Sequence, residues 1–173
     1  MFTNRARILV IGAFVIMLAV SVHLRVFEVA AVIVMFIFLL IWGYFKEGTI
    51  VLAAKAFHNK DYDKAESLLL QVSNPAWLGK KRRGFYEFIL GGICLQKQDY
   101  DEAEKHYEIA AQYPLRSAND HVAALVHVAN ISIRHNNFEK AKAYLALADK
   151  HEEKITAKMK DVIKRLHEEL DKK

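Results

Sequence analysis

The pattern of hydrophobic and polar residues changes near residue 48 of this chain. Between residues 8 and 45, the only charged or histidine side chains are His23, Arg25 and Glu28. After residue 48, apolar residues recur at helical spacing among charged ones. The first pattern is typical of helices that are apolar all round, and the second of amphipathic helices that pack into a core. The sequence therefore predicts an all-α protein with two parts.

The first part consists of two apolar runs with a short polar break between them. One helix over residues 8–45 would be about 57 Å long, whereas a bilayer core is about 30 Å thick. We therefore predict a transmembrane hairpin with spans at 8–22 and 29–45, after a cytoplasmic head at 1–7. A cleaved signal peptide followed by one span is the alternative, but no small-x-small cleavage site precedes Arg25.

Basic residues predict how this hairpin would be oriented. Arg5 and Arg7 precede the first run, Lys46 and Lys55 follow the second, and Arg25 alone lies between the runs. Loops rich in Lys and Arg stay on the cytoplasmic side. The sequence thus predicts an integral protein of a bacterial inner membrane, with both termini and the second part in the cytoplasm.

A short motif recurs three times in the second part. Ala65 in DYDKAESLLL, Ala103 in DYDEAEKHYE and Ala141 in NFEKAKAYLA are spaced 38 residues apart. Each alanine follows an aromatic, an acidic and a further charged residue. The regular spacing predicts three repeated units of the same local structure.

The middle copy resembles a tetratricopeptide repeat, whose signature reads W-x2-L-G-x2-Y, then A-x3-F, then P. Ala103 and Tyr107 match the second helix of that signature, and Pro114 closes the unit. Glu87 stands in place of the Trp, and Cys94 in place of the first aromatic residue. The family period is 34 residues, so each junction should hold about four additional residues.

The resemblance implies a short α-solenoid of three helix pairs over residues 49–150. A terminal repeat needs a cap with one polar face, and the apolar stripe within 152–172 predicts a C-terminal capping helix there. The expected helix pairs are 49–59 with 62–73, 83–97 with 100–113, and 119–135 with 138–149. The complete fold expected is thus a transmembrane hairpin followed by this solenoid.

Composition excludes several classes of function. Beyond residue 45, 22 basic and 19 acidic side chains remain, which is a mixed surface and argues against nucleic acid as a partner. The single cysteine, Cys94, excludes an intramolecular disulfide and fits a core position. The eight histidines lack metal-site spacing, and neither a nucleophile elbow nor a phosphate loop is present. We expect no catalytic, cofactor-binding or metal-binding residues.

The resemblance also implies a binding groove, because the first helices of such repeats line a concave face. The residues transferred to it are Phe57, Phe85, Phe88, Leu95, Asn130, Ile133 and Arg134. Only Asn130 and Arg134 are of the type that grips a terminal carboxylate, so the groove is mainly apolar and suits an amphipathic helix. The alternative is that these residues simply form the core.

Lys80, Lys81, Arg82 and Arg83 form the one dense basic run. Such a run usually means a solvated turn, but the expected topology places it near the membrane. Because basic residues are attracted to anionic headgroups, the sequence predicts a membrane-surface patch here.

These features predict a membrane-anchored interaction module, a scaffold or assembly factor that binds a client protein through its repeats. The alternative is a structural accessory subunit of a larger membrane complex, held there by its hairpin. The expected partners are proteins and the lipid bilayer.

Overall fold

The computed structural model describes residues 4–43 and 48–172. Every regular element within those ranges is helical, as the sequence predicted. The α-helices are α1 (Asn4–His23), α2 (Phe27–Gly43), α3 (Thr49–His58), α4 (Tyr62–Leu70), α5 (Lys80–Gln96), α6 (Tyr100–Ala111), α7 (Ala118–Arg134), α8 (Phe138–Asp149) and α9 (Ala157–Leu170). Contacts divide the chain into a first unit, residues 1–49, and a second unit, residues 50–173.

The first unit contains a helical hairpin made of α1 and α2. The chain reverses at Arg25, whose φ of 57° lies in the left-handed region. The two helices pack against each other, and the rings of Phe14 and Phe36 stack with centroids 6.1 Å apart. Ala30 and Ile33 are buried, while many of the other described apolar side chains of the hairpin are exposed.

The predicted transmembrane hairpin is wrong. Within the described residues, no helix combines the length and the apolar character needed to cross a bilayer. The sequence of α1 includes Arg5 and Arg7, so its apolar part covers only about 24 Å, and α2, with 17 residues, covers about 25 Å. Both are shorter than a bilayer core of about 30 Å. The apolar runs predicted both helices, but the flanking residues do not extend either apolar part to the length of a bilayer core.

The integral membrane location is wrong for the same reason, because it depended on these spans. The expected orientation depended on them as well. Residues 1–3 of the expected head and residues 44–45 at the end of the second expected span lie outside the described residues, as does Lys46.

A turn of constant geometry joins the two helices of each pair in the second unit. Lys60, Gln98 and Asn136, which are 38 residues apart, have φ angles of 63°, 63° and 59°. The amide after each of them donates to a carbonyl five residues back, at 3.0, 2.9 and 2.8 Å. This is the hydrogen-bond pattern that ends a helix with a left-handed residue. The repeat in sequence is therefore a repeat in backbone geometry.

The residue after each turn caps the next helix. Side chains of Asp61, Asp99 and Asn137 accept a hydrogen bond from the amide three residues later, at 3.4, 3.2 and 3.3 Å. A side-chain oxygen at this position satisfies one of the unpaired amides of a helix start. These caps explain why an acidic or amide residue begins each copy of the motif.

Three apolar clusters hold the second unit together, and each is centred on a second helix of a pair. Ala65 lies in a cluster made by α3, α4 and α5. Ala103 lies between α6 and α7, with partly buried side chains of α5 beside it. Ala141 lies among α7, α8 and α9. All three alanines are fully buried, so the three copies of the motif occupy equivalent places in the packing.

The C-terminal segment differs from the helix expected over 152–172. A short 3-10 helix, Glu152–Lys154, is followed by extended backbone at Ile155 and Thr156. The amide of Thr156 donates to Oδ1 of Asn119 at 3.0 Å, which fixes this break against the start of α7. The α9 helix then buries one apolar side against α7 and α8.

Candidate functional site

Partly buried aromatic and aliphatic residues follow one side of α5. Phe85, Phe88, Gly92 and Leu95 succeed one another at intervals of three or four residues, which places them on the same side of the helix. An ideal Cβ on Gly92 would lie 2.5 Å from Cζ of Phe57, so the α3 phenyl ring lies directly over that glycine. We call Phe57, Phe85, Phe88 and Leu95 the apolar stripe.

Two edge-to-face contacts fix the orientation of the stripe. The Phe57 ring meets Tyr62 of α4 with centroids 5.5 Å apart, and Phe88 meets Tyr107 of α6 at 5.7 Å. Such pairs contribute about 0.5–1.5 kcal/mol beyond their buried area. The stripe is therefore held in place by the second helices while its side chains keep partial exposure.

The third helix pair covers the corresponding positions more completely. Val126 and Ile133, 38 residues after Phe88 and Leu95, are buried in the cluster that includes α9. Ile133 is only 1% exposed, so this predicted groove residue belongs to the core. The apolar stripe thus contains four of the seven residues transferred from the resemblance, and they lie on α3 and α5.

The two polar residues predicted for the groove lie on α7. Asn130 is partly buried. Arg134 is exposed, its guanidinium lies 5.2 Å from the centre of the Tyr100 ring, and its Nη1 donates to the Tyr100 hydroxyl at 3.4 Å. The structure therefore pairs Arg134 with an aromatic ring of α6.

A buried carboxylate that sequence reasoning did not assign lies between α5 and α6. Glu87 is 2% exposed, with Oε1 at 2.6 Å from Nη2 of Arg83 and Oε2 at 2.6 Å from Nδ1 of His106. The spacing of four residues between Arg83 and Glu87 was a signal for the first contact. Arg83 is therefore partly buried and paired with Glu87, whereas Lys80 and Lys81 of the basic run are exposed.

A second polar network joins the last two helix pairs. Oε1 of Glu104 accepts from the buried Ser132 hydroxyl at 2.6 Å and from Nζ of Lys140 at 2.9 Å, and Lys140 also contacts Glu108 at 2.5 Å. Burial raises the pKa of Glu104, but the hydrogen bonds from Ser132 and Lys140 outweigh it and lower that pKa overall. The network connects α6 to α7 and α8.

The family model for the SusR N-terminal TPR domain matches residues 41–163. The chain belongs to this TPR family. No curated protein and no solved structure gave a match. TPR domains are typically protein-interaction modules without catalytic activity, and membership therefore indicates a protein-binding scaffold.

Two histidines of the TPR domain lie in contacts between its helices. The His127 ring stacks on Tyr107 with centroids 4.5 Å apart, and burial lowers the pKa of His127. His121 meets His151 edge-on at 5.3 Å, and burial together with His151 lowers the pKa of His121. Among the residues that the structure describes, no three His, Cys, Asp or Glu side chains form a metal-binding group.

Proposed function

We propose that this TPR domain is a scaffold that binds a partner protein through the apolar stripe. The observation that supports this proposal is the partial exposure of four large apolar side chains on two adjacent first helices. An apolar surface of this kind suits the apolar face of an amphipathic helix. The partner expected is thus a protein with an amphipathic helical segment.

The comparison between helix pairs supports the same proposal. The α9 helix packs on α7, and Val126 and Ile133 of α7 are buried in the cluster that includes α9. On α5 the corresponding residues are Phe88 and Leu95, and both retain exposed area beside their packing contacts. Apolar side chains that stay partly exposed at positions buried in another repeat are a feature of interaction surfaces.

The test is affinity purification of the full chain followed by mass spectrometry, with a Phe85→Ala/Phe88→Ala variant in parallel. Because Phe88 packs on Tyr107, this variant also loses stability. Leu145→Ala, in the buried core of α8, serves as a control that is destabilised away from the stripe.

A partner retained by the wild type and the Leu145→Ala control, but lost from the stripe variant, supports the proposal. The purified helical segment of that partner should then be titrated into each protein. Its affinity should be similar for the wild type and Leu145→Ala and lower for the stripe variant. A partner set that is unchanged by the stripe variant would contradict it.

A further inference from the structure

The connection between α4 and α5 carries an exposed apolar pair. Leu70, at the end of α4, is 70% exposed, and Trp77, in the 3-10 helix Pro75–Trp77, is 71% exposed. Within the described part of the second unit, these are the two most exposed large apolar side chains. Neither belongs to the apolar stripe, so partner binding at the stripe does not account for them.

Two exposed lysines follow at the start of α5. Lys80 and Lys81 have no ion pair with any acidic residue that the structure describes. Arg83, the last residue of the basic run, is engaged by the buried Glu87 and does not add to this surface. We call Leu70, Trp77, Lys80 and Lys81 the basic-aromatic loop.

We propose that the basic-aromatic loop docks peripherally on an anionic phospholipid surface. Tryptophan favours the interface between water and hydrocarbon, and lysines are attracted to anionic headgroups. A side chain exposed on a connecting loop suits an extended surface, whereas a peptide ligand is normally held in a groove. The contact needs no helix inside the bilayer.

This contact uses residues other than those of the proposed partner binding. Its four residues run from the end of α4 to the first turn of α5, within 70–81, and none belongs to the apolar stripe. A scaffold of this design would hold its partner with the stripe while the loop rests on the lipid surface. Failure of one contact therefore leaves the other testable.

The experiment is co-sedimentation of the full chain with phosphatidylcholine vesicles, with and without phosphatidylglycerol, at low and high salt. The variants are Lys80→Ser/Lys81→Ser and Trp77→Ser. The matched control is Lys158→Ser/Arg165→Ser, which removes the same charge from exposed positions of α9. Because the first unit also exposes apolar side chains, binding to neutral vesicles is measured as the baseline for every protein.

The wild type should bind phosphatidylglycerol vesicles more tightly than neutral ones, and high salt should remove the difference. Each lysine contributes about fivefold, so the double lysine variant should lose about 25-fold in affinity for anionic vesicles. Trp77→Ser should weaken binding several-fold, and the control should behave as the wild type. The proposal would be overturned if the control lost as much affinity as the lysine variant, or if phosphatidylglycerol had no effect on binding. Binding to soluble heparin as tight as to anionic vesicles would also overturn it.

Discussion

Oε2 of Glu87 lies 2.6 Å from Nδ1 of His106, so an α5 carboxylate and an α6 imidazole are joined inside a helix pair. Arg83 completes the arrangement from the other side of the same carboxylate. The TPR signature has Trp at the position of Glu87. A polar cluster thus fills a place at which related repeats bury an aromatic ring.

Removing either partner of Glu87 should destabilise the domain. Arg83→Met or His106→Leu leaves the carboxylate buried with one contact fewer, which we expect to cost about 2–3 kcal/mol in the free energy of unfolding. The triple variant Arg83→Met/Glu87→Leu/His106→Leu removes the whole cluster, and its stability should be close to that of the wild type or higher. Urea denaturation measures all three, and single variants as stable as the wild type would refute this account.

Gly92→Ala should disturb the apolar stripe, because its Cβ would lie 2.5 Å from Cζ of Phe57. Displacing the ring should cost about 1–3 kcal/mol, partly offset by the higher helix propensity of alanine. In the Phe57→Leu background the same substitution should cost less, since the shorter side chain leaves room. A double-mutant cycle by thermal or urea denaturation checks this, and additive effects would argue against the contact.

Gln98→Gly should stabilise the domain by about 1 kcal/mol. Gln98 has a φ of 63°, and a left-handed conformation is unfavourable for residues other than glycine. Two substitutions serve as controls. Asn136→Gly should change little, because asparagine tolerates this conformation, and Lys97→Gly, where φ is −79°, should destabilise. The midpoints of urea denaturation of the three variants are compared with that of the wild type. A Gln98→Gly variant less stable than the wild type would contradict the prediction.

Stability should fall as the pH drops below about 6.5. The pKa of His127 and of His121 is lowered in the folded state, so the unfolded state binds protons first. This loss of stability begins below pH 6.5, the ordinary pKa of histidine. It is complete below the pKa values that the two histidines have in the folded state. Glu104, whose folded pKa is also lowered, adds a separate loss below its ordinary value of 4.5.

The free energy of unfolding at pH 7.5 and pH 5.5 measures the histidine contribution. The His127→Phe variant keeps an aromatic ring stacked on Tyr107 but lacks the imidazole that takes up a proton. The stability of this variant should therefore depend less on pH. His58→Gln, at an exposed position, is the control. An unchanged pH dependence in His127→Phe would exclude His127 as the cause.

Local signals in the sequence predicted the repeats well, because the turn and the cap are each made by neighbouring residues. The recurrence of Ala65, Ala103 and Ala141 reflects one backbone geometry repeated three times. The hairpin helices were also located, but their membrane role was wrong, since neither helix is long and apolar enough to cross a bilayer.

Contacts between distant residues were beyond sequence reasoning. Ile133 was assigned to the groove from the family resemblance, and nothing in its neighbourhood shows that it joins a core cluster with residues of α9, some 30 residues later. His106 lies 19 residues from Glu87, and no local pattern links them. The predicted groove therefore separated into a partly exposed stripe on α3 and α5 and three residues on α7, of which Ile133 is buried and Asn130 and Arg134 are polar.

The three apolar clusters have a consequence for how this chain can be divided. Each second helix is enclosed by the helix before it and the helix after it, so no helix pair contains a complete core. Dividing the chain within the connections 71–79 or 112–117 would separate helices that share one apolar cluster. A cut at the turns after α5 or α7 would leave the preceding clusters whole. The points at which the chain can be shortened are thus offset by one helix from the boundaries of the sequence repeat.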